Sequence, residues 1–145
     1  MTQPRAIDAL LDRYGDSHRH PTNELIHVVC VPVIVFTLLG ILWSIHPALA
    51  VAASVAAVVY YFRLSPPFAF GMLLMSAAML AVLALMPRFT VLPLSVAIFV
   101  VAWMGQFIGH KIEGKKPSFF EDVRFLLIGP LFVLGLLYRR LNVAY

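Results

Sequence analysis

The chain has a single cysteine, Cys30, so no intrachain disulfide is available, and its place inside an apolar run says nothing about redox compartment. Charge is equally scarce: Asp, Glu, Lys and Arg make up 12% of the 145 residues, against about 25% in soluble domains. There is no glycine-rich phosphate loop, no cysteine pair and no serine in a triad setting, which leaves nucleotide, zinc-finger and acyl-enzyme chemistry without support. No charged residue falls inside a long apolar run and no inverted repeat is evident, which argues against a transporter. No secretory signal precedes the first apolar run, so the N-terminus is expected to be retained.

What is present in excess is apolar surface. Hydrophobic residues are 61% of the chain and mean hydropathy is +0.90, values that belong to a membrane protein. The net charge of +4 is spread over connecting segments rather than gathered in one patch, so the basic residues read as topology signals facing anionic lipid, with no nucleic acid as partner.

Taken in order, residues 4–15 carry Ile7, Leu10, Leu11 and Tyr14 on one face of a short amphipathic helix, too polar to span and suited to the interface. Apolar runs follow at 28–45, 48–62, 68–86 and 91–109, close to the ~20 residues that cross a bilayer core, the second being the shortest. Tight breaks at His46-Pro47, Ser65-Pro66-Pro67 and Pro87-Arg88 make neighbouring runs antiparallel. The expected fold is an all-α integral membrane helical bundle: four spanning helices, an amphipathic N-terminal helix and a fifth apolar segment, 125–138.

That fifth segment is short and contains Gly129-Pro130. If it does not cross, Arg5, Arg13, Arg19, Arg63, Lys111, Lys115, Lys116, Arg124, Arg139 and Arg140 share one face against Arg88 on the other. The positive-inside rule therefore predicts a segment that dips in and returns, or lies along the bundle, with both termini cytoplasmic in a bacterial inner membrane or an endoplasmic-reticulum-type membrane.

Three of the five histidines, His18, His20 and His27, lie just before the first run, with Pro21 suited to a first helical turn and Asn23 and His27 on one helix face. A second polar stripe, Trp103, Gln106, His110 and Glu113, ends the fourth run. Four crossings put both clusters on the same membrane face, so they can meet. A single boundary histidine is usually an interfacial anchor, and His46, on the other face, is read that way. Four imidazoles together with Asn23, Gln106, Glu24 and Glu113 point instead to a metal or cofactor site, because polar groups at membrane depth are costly unless paired or functional. A polar network that only ties two helices together, or one that binds haem, is the non-enzymatic alternative.

The pattern His18-x-x-Pro21-x-Asn23-x-x-x-His27, then Val31-Pro32, then Trp103-x-x-Gln106-Phe107-Ile108-Gly109-His110-x-x-Glu113-x-x-x-Pro117, with a Gly129-Pro130 turn in the fifth segment, resembles the 2-hydroxy fatty acid dioxygenase family of small multispan membrane proteins. The resemblance implies an iron(II)-dependent oxidation in which dioxygen shortens a long-chain 2-hydroxy fatty acid by one carbon. It makes His18, His27 and His110 the ligand candidates and leaves His20 as a fourth ligand or a neighbour, with the i, i+7 spacing to His27 favouring a ligand. Within that chemistry Asn23 and Gln106, each four residues before a histidine, would orient imidazoles, Glu113 or Glu24 would supply a carboxylate, and Arg19 or Lys111 would pair with the substrate carboxylate.

Overall fold

The computed structural model describes residues 5–145; Pro4, expected to begin the first helix, lies outside the described residues. Among the described residues six α-helices follow one another: α1 (Ala6–Gly15), α2 (Pro21–Ile45), α3 (Pro47–Leu64), α4 (Pro66–Leu85), α5 (Arg88–Glu113) and α6 (Phe125–Arg140), with a 3₁₀ turn at Ser118–Phe120. Helices α2 to α5 are long and apolar enough to cross a membrane. Their outward faces carry Leu25, Val29, Val55, Phe70 and Val101, all exposed. Soluble monomers rarely expose so much apolar surface, and it suits hydrocarbon.

Prolines set three of the starts. Pro21, Pro47 and Pro66 each occupy the first turn, where a missing N–H costs nothing, and the residue before each is held extended. At two of them that residue is a histidine acting as the cap: His20 Nδ1 accepts the Thr22 N–H and His46 Nδ1 accepts the Ala48 N–H, both at 3.2 Å. At the same end of the bundle as Pro21, α5 stops at Gly114, whose φ of 73° is the left-handed conformation that glycine adopts without a Cβ penalty.

Helices α2 and α5 are antiparallel and very close. A Cβ on Gly105 would come within 2.9 Å of Cys30 Sγ, and one on Gly109 would run into the Asn23 amide oxygen. Small residues at these crossings let the start of α2 and the end of α5 approach at one end of the bundle, and both helices continue beyond the apolar runs so that Asn23, His27, His110 and Glu113 ride on them.

The fifth segment is a single unbroken helix, so the Gly129-Pro130 turn expected from the sequence does not form. Pro130 removes one N–H from the ladder, but in the same turn the Leu127 carbonyl accepts the buried Tyr61 hydroxyl at 2.8 Å, and Ile128, Gly129, Pro130 and Leu131 are packed against neighbours. Packing holds the turn helical. Helix α6 begins just after the end of α5, and near its other end the Tyr138 hydroxyl donates to the Pro67 carbonyl at the start of α4. The ends of α5 and the start of α4 belong to the same end of an alternating bundle, so α6 lies along that end rather than crossing to the other. Helix α1 packs beside it, burying Ile7, Leu11 and Tyr14 in one cluster with Phe68, Phe125, Ile128 and Leu131. The two together roof the end of the bundle that carries the histidines.

Candidate metal centre

His18, His27 and His110 come from three separate elements: the link between α1 and α2, the second turn of α2 and the last turn of α5. Their rings meet edge to face, with centroids 4.1 Å apart for His18 and His27, 4.9 Å for His18 and His110 and 4.8 Å for His27 and His110. One ring nitrogen of each lies within 4.8 Å of the others. All three are buried, at 2%, 1% and 5% exposure. The two clusters separated by some eighty residues of chain do form one constellation.

Backbone carbonyls decide which nitrogens are free. His18 Nδ1 is 2.7 Å from the Tyr14 carbonyl and His27 Nδ1 is 2.9 Å from the Asn23 carbonyl, in both cases the residue four positions earlier. A carbonyl only accepts, so each Nδ1 carries the proton and each Nε2 keeps its lone pair for the centre of the cluster. His18 Nε2 and His110 Nδ1 are buried with no hydrogen-bond partner. A buried ring nitrogen left without a partner is costly, and a cation bound by its lone pair removes the cost. The residues present therefore fit a metal ion. Burial holds the His18 imidazole down to about 4, against the pull of the Tyr14 carbonyl, so it is neutral and a competent donor at pH 7.

The surrounding groups hold this geometry. Tyr14 stacks on His18 with centroids 4.2 Å apart and an interplanar angle of 9°. Ser17 Oγ is 3.2 Å from His18 Nδ1 and also bonds the Ser118 hydroxyl, tying the histidine loop to the segment after α5. Asn23, fully buried, donates through Nδ2 to the Ser17 carbonyl (3.1 Å) and to Glu113 Oε2 (3.2 Å). Its side chain thus fixes the His18 loop, while its backbone carbonyl, not its amide, orients His27. Glu113 accepts the Arg19 N–H at 3.0 Å and the His20 N–H at 2.8 Å. With the Asn23 amide that makes three donors on one carboxylate, seated where α2 begins and its dipole favours an anion. Glu113 clasps the end of α5 to the start of α2 and lies outside the metal-ligating group.

The other sequence candidates fall elsewhere. His20 is the exposed cap of α2, with its backbone extended at φ −75° and ψ 124°, so the helical spacing to His27 does not extend to it. It does for α2 what His46 does for α3. The Arg19 guanidinium is exposed and paired with Asp16, Lys111 is exposed, and Glu24 bonds no imidazole. Gln106 is 5% exposed and its Nε2 has no partner. It borders a cavity of about 60 Å³ alongside Tyr14, Val31 and the rings of His27 and His110. That space takes a few water-sized molecules and is far too small for a porphyrin. Tyr14, Ser17 and Ser118 were not evident as site residues from the sequence; the one available signal is that Tyr14 precedes His18 by four residues, as Asn23 precedes His27.

Comparison with known proteins bears on what such a site is for. Residues 5–141 match the family model described as 2-hydroxy-palmitic acid dioxygenase Mpo1-like. The chain belongs to this family. The match encloses all three buried histidines, the Glu113 clasp and the whole of α6. The chain is also similar to the 2-hydroxy-palmitic acid dioxygenase MPO1 of Saccharomyces cerevisiae, 30% identical over 129 residues that cover 83% of this chain and 73% of the yeast protein. No solved structure matches. In this member of the family three imidazoles come together from three elements, two of them oriented by main-chain carbonyls.

Proposed function

We propose that the chain is an iron(II)-dependent dioxygenase that shortens long-chain 2-hydroxy fatty acids by one carbon. The observation that carries this reading is the cluster of three buried imidazoles, of which His18 Nε2 and His110 Nδ1 have no hydrogen-bond partner, beside a cavity bordered by the unpartnered Gln106 Nε2. Family membership and the name of the yeast relative support the substrate class. Imidazole suits iron among the divalent metals, and a ligand set with open positions is how non-haem iron oxygenases are built.

His18, His27 and His110 hold the metal, and iron bound there supplies the means of reacting dioxygen with the acid. The chain's own residues do the rest. The Tyr14 and Asn23 carbonyls keep the protons on Nδ1, so that neither imidazole turns away. Gln106 Nε2, buried and without a partner, donates to the hydroxyl or carboxylate of the acid. Glu113, Asn23 and Ser17 position the histidine loop, and Arg19 contributes through its main-chain N–H. Val31, Ile34 and Phe125 line the cavity and exclude bulk water. Overall, the 2-hydroxy acid and one dioxygen give the acid shorter by one carbon, carbon dioxide and water. The four electrons removed are those that one dioxygen accepts, so no nicotinamide or flavin is consumed.

Anaerobic iron loading of the purified protein followed by oxygen uptake on 2-hydroxypalmitic acid tests the proposal. The expected result is one iron per chain and release of carbon dioxide in step with oxygen consumed. A folded protein that takes up no iron, or one that takes it up and leaves the acid intact, defeats it.

A further inference from the structure

We infer that the hydrocarbon tail of the acid lies in an apolar groove between α2, α3 and α4, entered from the metal site past Val35, Leu126 and Pro130, and that the far end of this groove sets the chain length accepted. The inference rests on the dioxygenase reading and adds where the rest of the substrate goes. The starting point is size. A cavity of about 60 Å³ beside the imidazoles houses the polar head of an acid and little more, so a long tail has to leave it.

Val35, Leu126 and Pro130 line that cavity and also line a second one, of about 440 Å³, on the other side of the α2–α6 contact. The larger volume is typical of ligand pockets, about 300–1,000 Å³. Its position fits a tail that starts at the interface and runs inward. Along α2 the groove continues from Val35 to Leu42, roughly 10 Å further from the histidine end at the rise of an α-helix.

The groove exists because α3 and α4 present small residues to it, Ala53, Ser54, Ala57 and Ser76. Two of these are serines, yet neither makes the groove polar. Ser54 Oγ donates to the Ala50 carbonyl at 2.9 Å and Ser76 Oγ to the Met72 carbonyl at 2.7 Å, so both hydroxyl protons are already used within their own helices. Arg124, the one charged residue on the lining among the described residues, sits at the rim in an ion pair with Asp122. The hydrogen bond from Tyr61 to Leu127 holds α6 over the groove at the end nearer the metal site. An apolar chain of the acid, continuous with its head at the imidazoles, is the occupant these features suit.

Two measurements test this. In the first, the full-length wild-type protein is photolabelled with 2-hydroxypalmitic acid carrying a diazirine at its terminal carbon, and the labelled residues are mapped. Label on Leu38, Leu42 or Ala53, lost when unlabelled 2-hydroxypalmitic acid is added, is the expected result. Label on the outward face of α5, or label on the groove that the acid does not displace because a phospholipid chain fills it, overturns the inference. In the second, Ala53→Phe shortens the groove from an exposed position that tolerates bulk. Each methylene that loses its place costs about fourfold in kcat/KM. The variant should therefore lose at least about tenfold on 2-hydroxypalmitic acid and keep its activity on 2-hydroxyoctanoic acid. Equal losses on both acids overturn the inference. A wild-type protein that oxidises no 2-hydroxy acid defeats the dioxygenase reading, and the labelling still decides the groove; label outside the groove in an active enzyme defeats the groove alone.

Discussion

Replacing Glu113 separates a clasp from a metal ligand, the two roles open to a carboxylate at this position. In the structure the carboxylate accepts three N–H donors, from Arg19, His20 and Asn23. The two main-chain donors are in exposed residues, where water replaces the lost acceptor at little cost. The Asn23 amide is fully buried but keeps the Ser17 carbonyl as a second partner. The loss is then that of one or two charge-assisted bonds, about 1–3 kcal/mol. Because the bonds hold the His18 loop against α5, that energy reappears as looser ligand geometry, a rise of about 10- to 100-fold in the iron dissociation constant at 1.4 kcal/mol per decade, in line with other groups that orient metal ligands. Glu113→Gln should accordingly still bind one iron per chain, more weakly, when measured by chelator competition under anaerobic conditions and with helix content checked by circular dichroism. A folded Glu113→Gln protein with no bound iron would make the carboxylate a ligand. An unchanged dissociation constant would leave the clasp without a role.

Further expectations follow from the same geometry. His18→Ala, His27→Ala and His110→Ala should each remove most of the iron and nearly all turnover, with double variants little worse than single ones because the three act as a unit; full iron content in a folded His110→Ala protein sinks the shared site. His20→Ala and His46→Ala should keep iron and turnover and each cost about 1 kcal/mol as lost helix caps, read from thermal melts. For the iron-free protein, the His18 value of about 4 lies below that of an unfolded histidine, so between about 6.5 and 4 the unfolded chain binds more protons and stability should fall as pH is lowered through that window, levelling off beneath it; a melting temperature independent of pH there contradicts burial of a neutral His18. Finally, single cysteines at Lys115 and Arg139 in a Cys30→Ala background should label from the same side, the cytoplasmic one, and labelling from opposite sides would mean that α6 crosses.

How much of this was legible beforehand differs from residue to residue. Four apolar runs near the length of a bilayer core, separated by proline breaks, are enough to dictate four spanning helices, since hydrocarbon leaves the backbone no other way to satisfy its polar groups. Counting crossings then places His18 and His27 at the same end as His110, because an even number of crossings returns the chain to the face it left. Proline after His20 and His46 marks helix starts for an equally local reason. What such arguments do not reach is where a ring nitrogen points. His20 and His18 are two residues apart and equally plausible on paper; His18 enters the cluster because the end of α1 offers it the Tyr14 carbonyl and ring, and His20 stays outside because it caps α2. That the Glu113 carboxylate accepts the main-chain N–H groups of Arg19 and His20 was equally out of reach, since only packing of α5 against the start of α2 brings those groups together. Gly129-Pro130 reads as a turn until Tyr61, distant in sequence, supplies a hydrogen bond and α1 and α4 supply packing. Local composition and parity determine which segments span and which ends meet; the tertiary structure decides which nitrogens are left without a proton donor, because that depends on partners contributed by other helices.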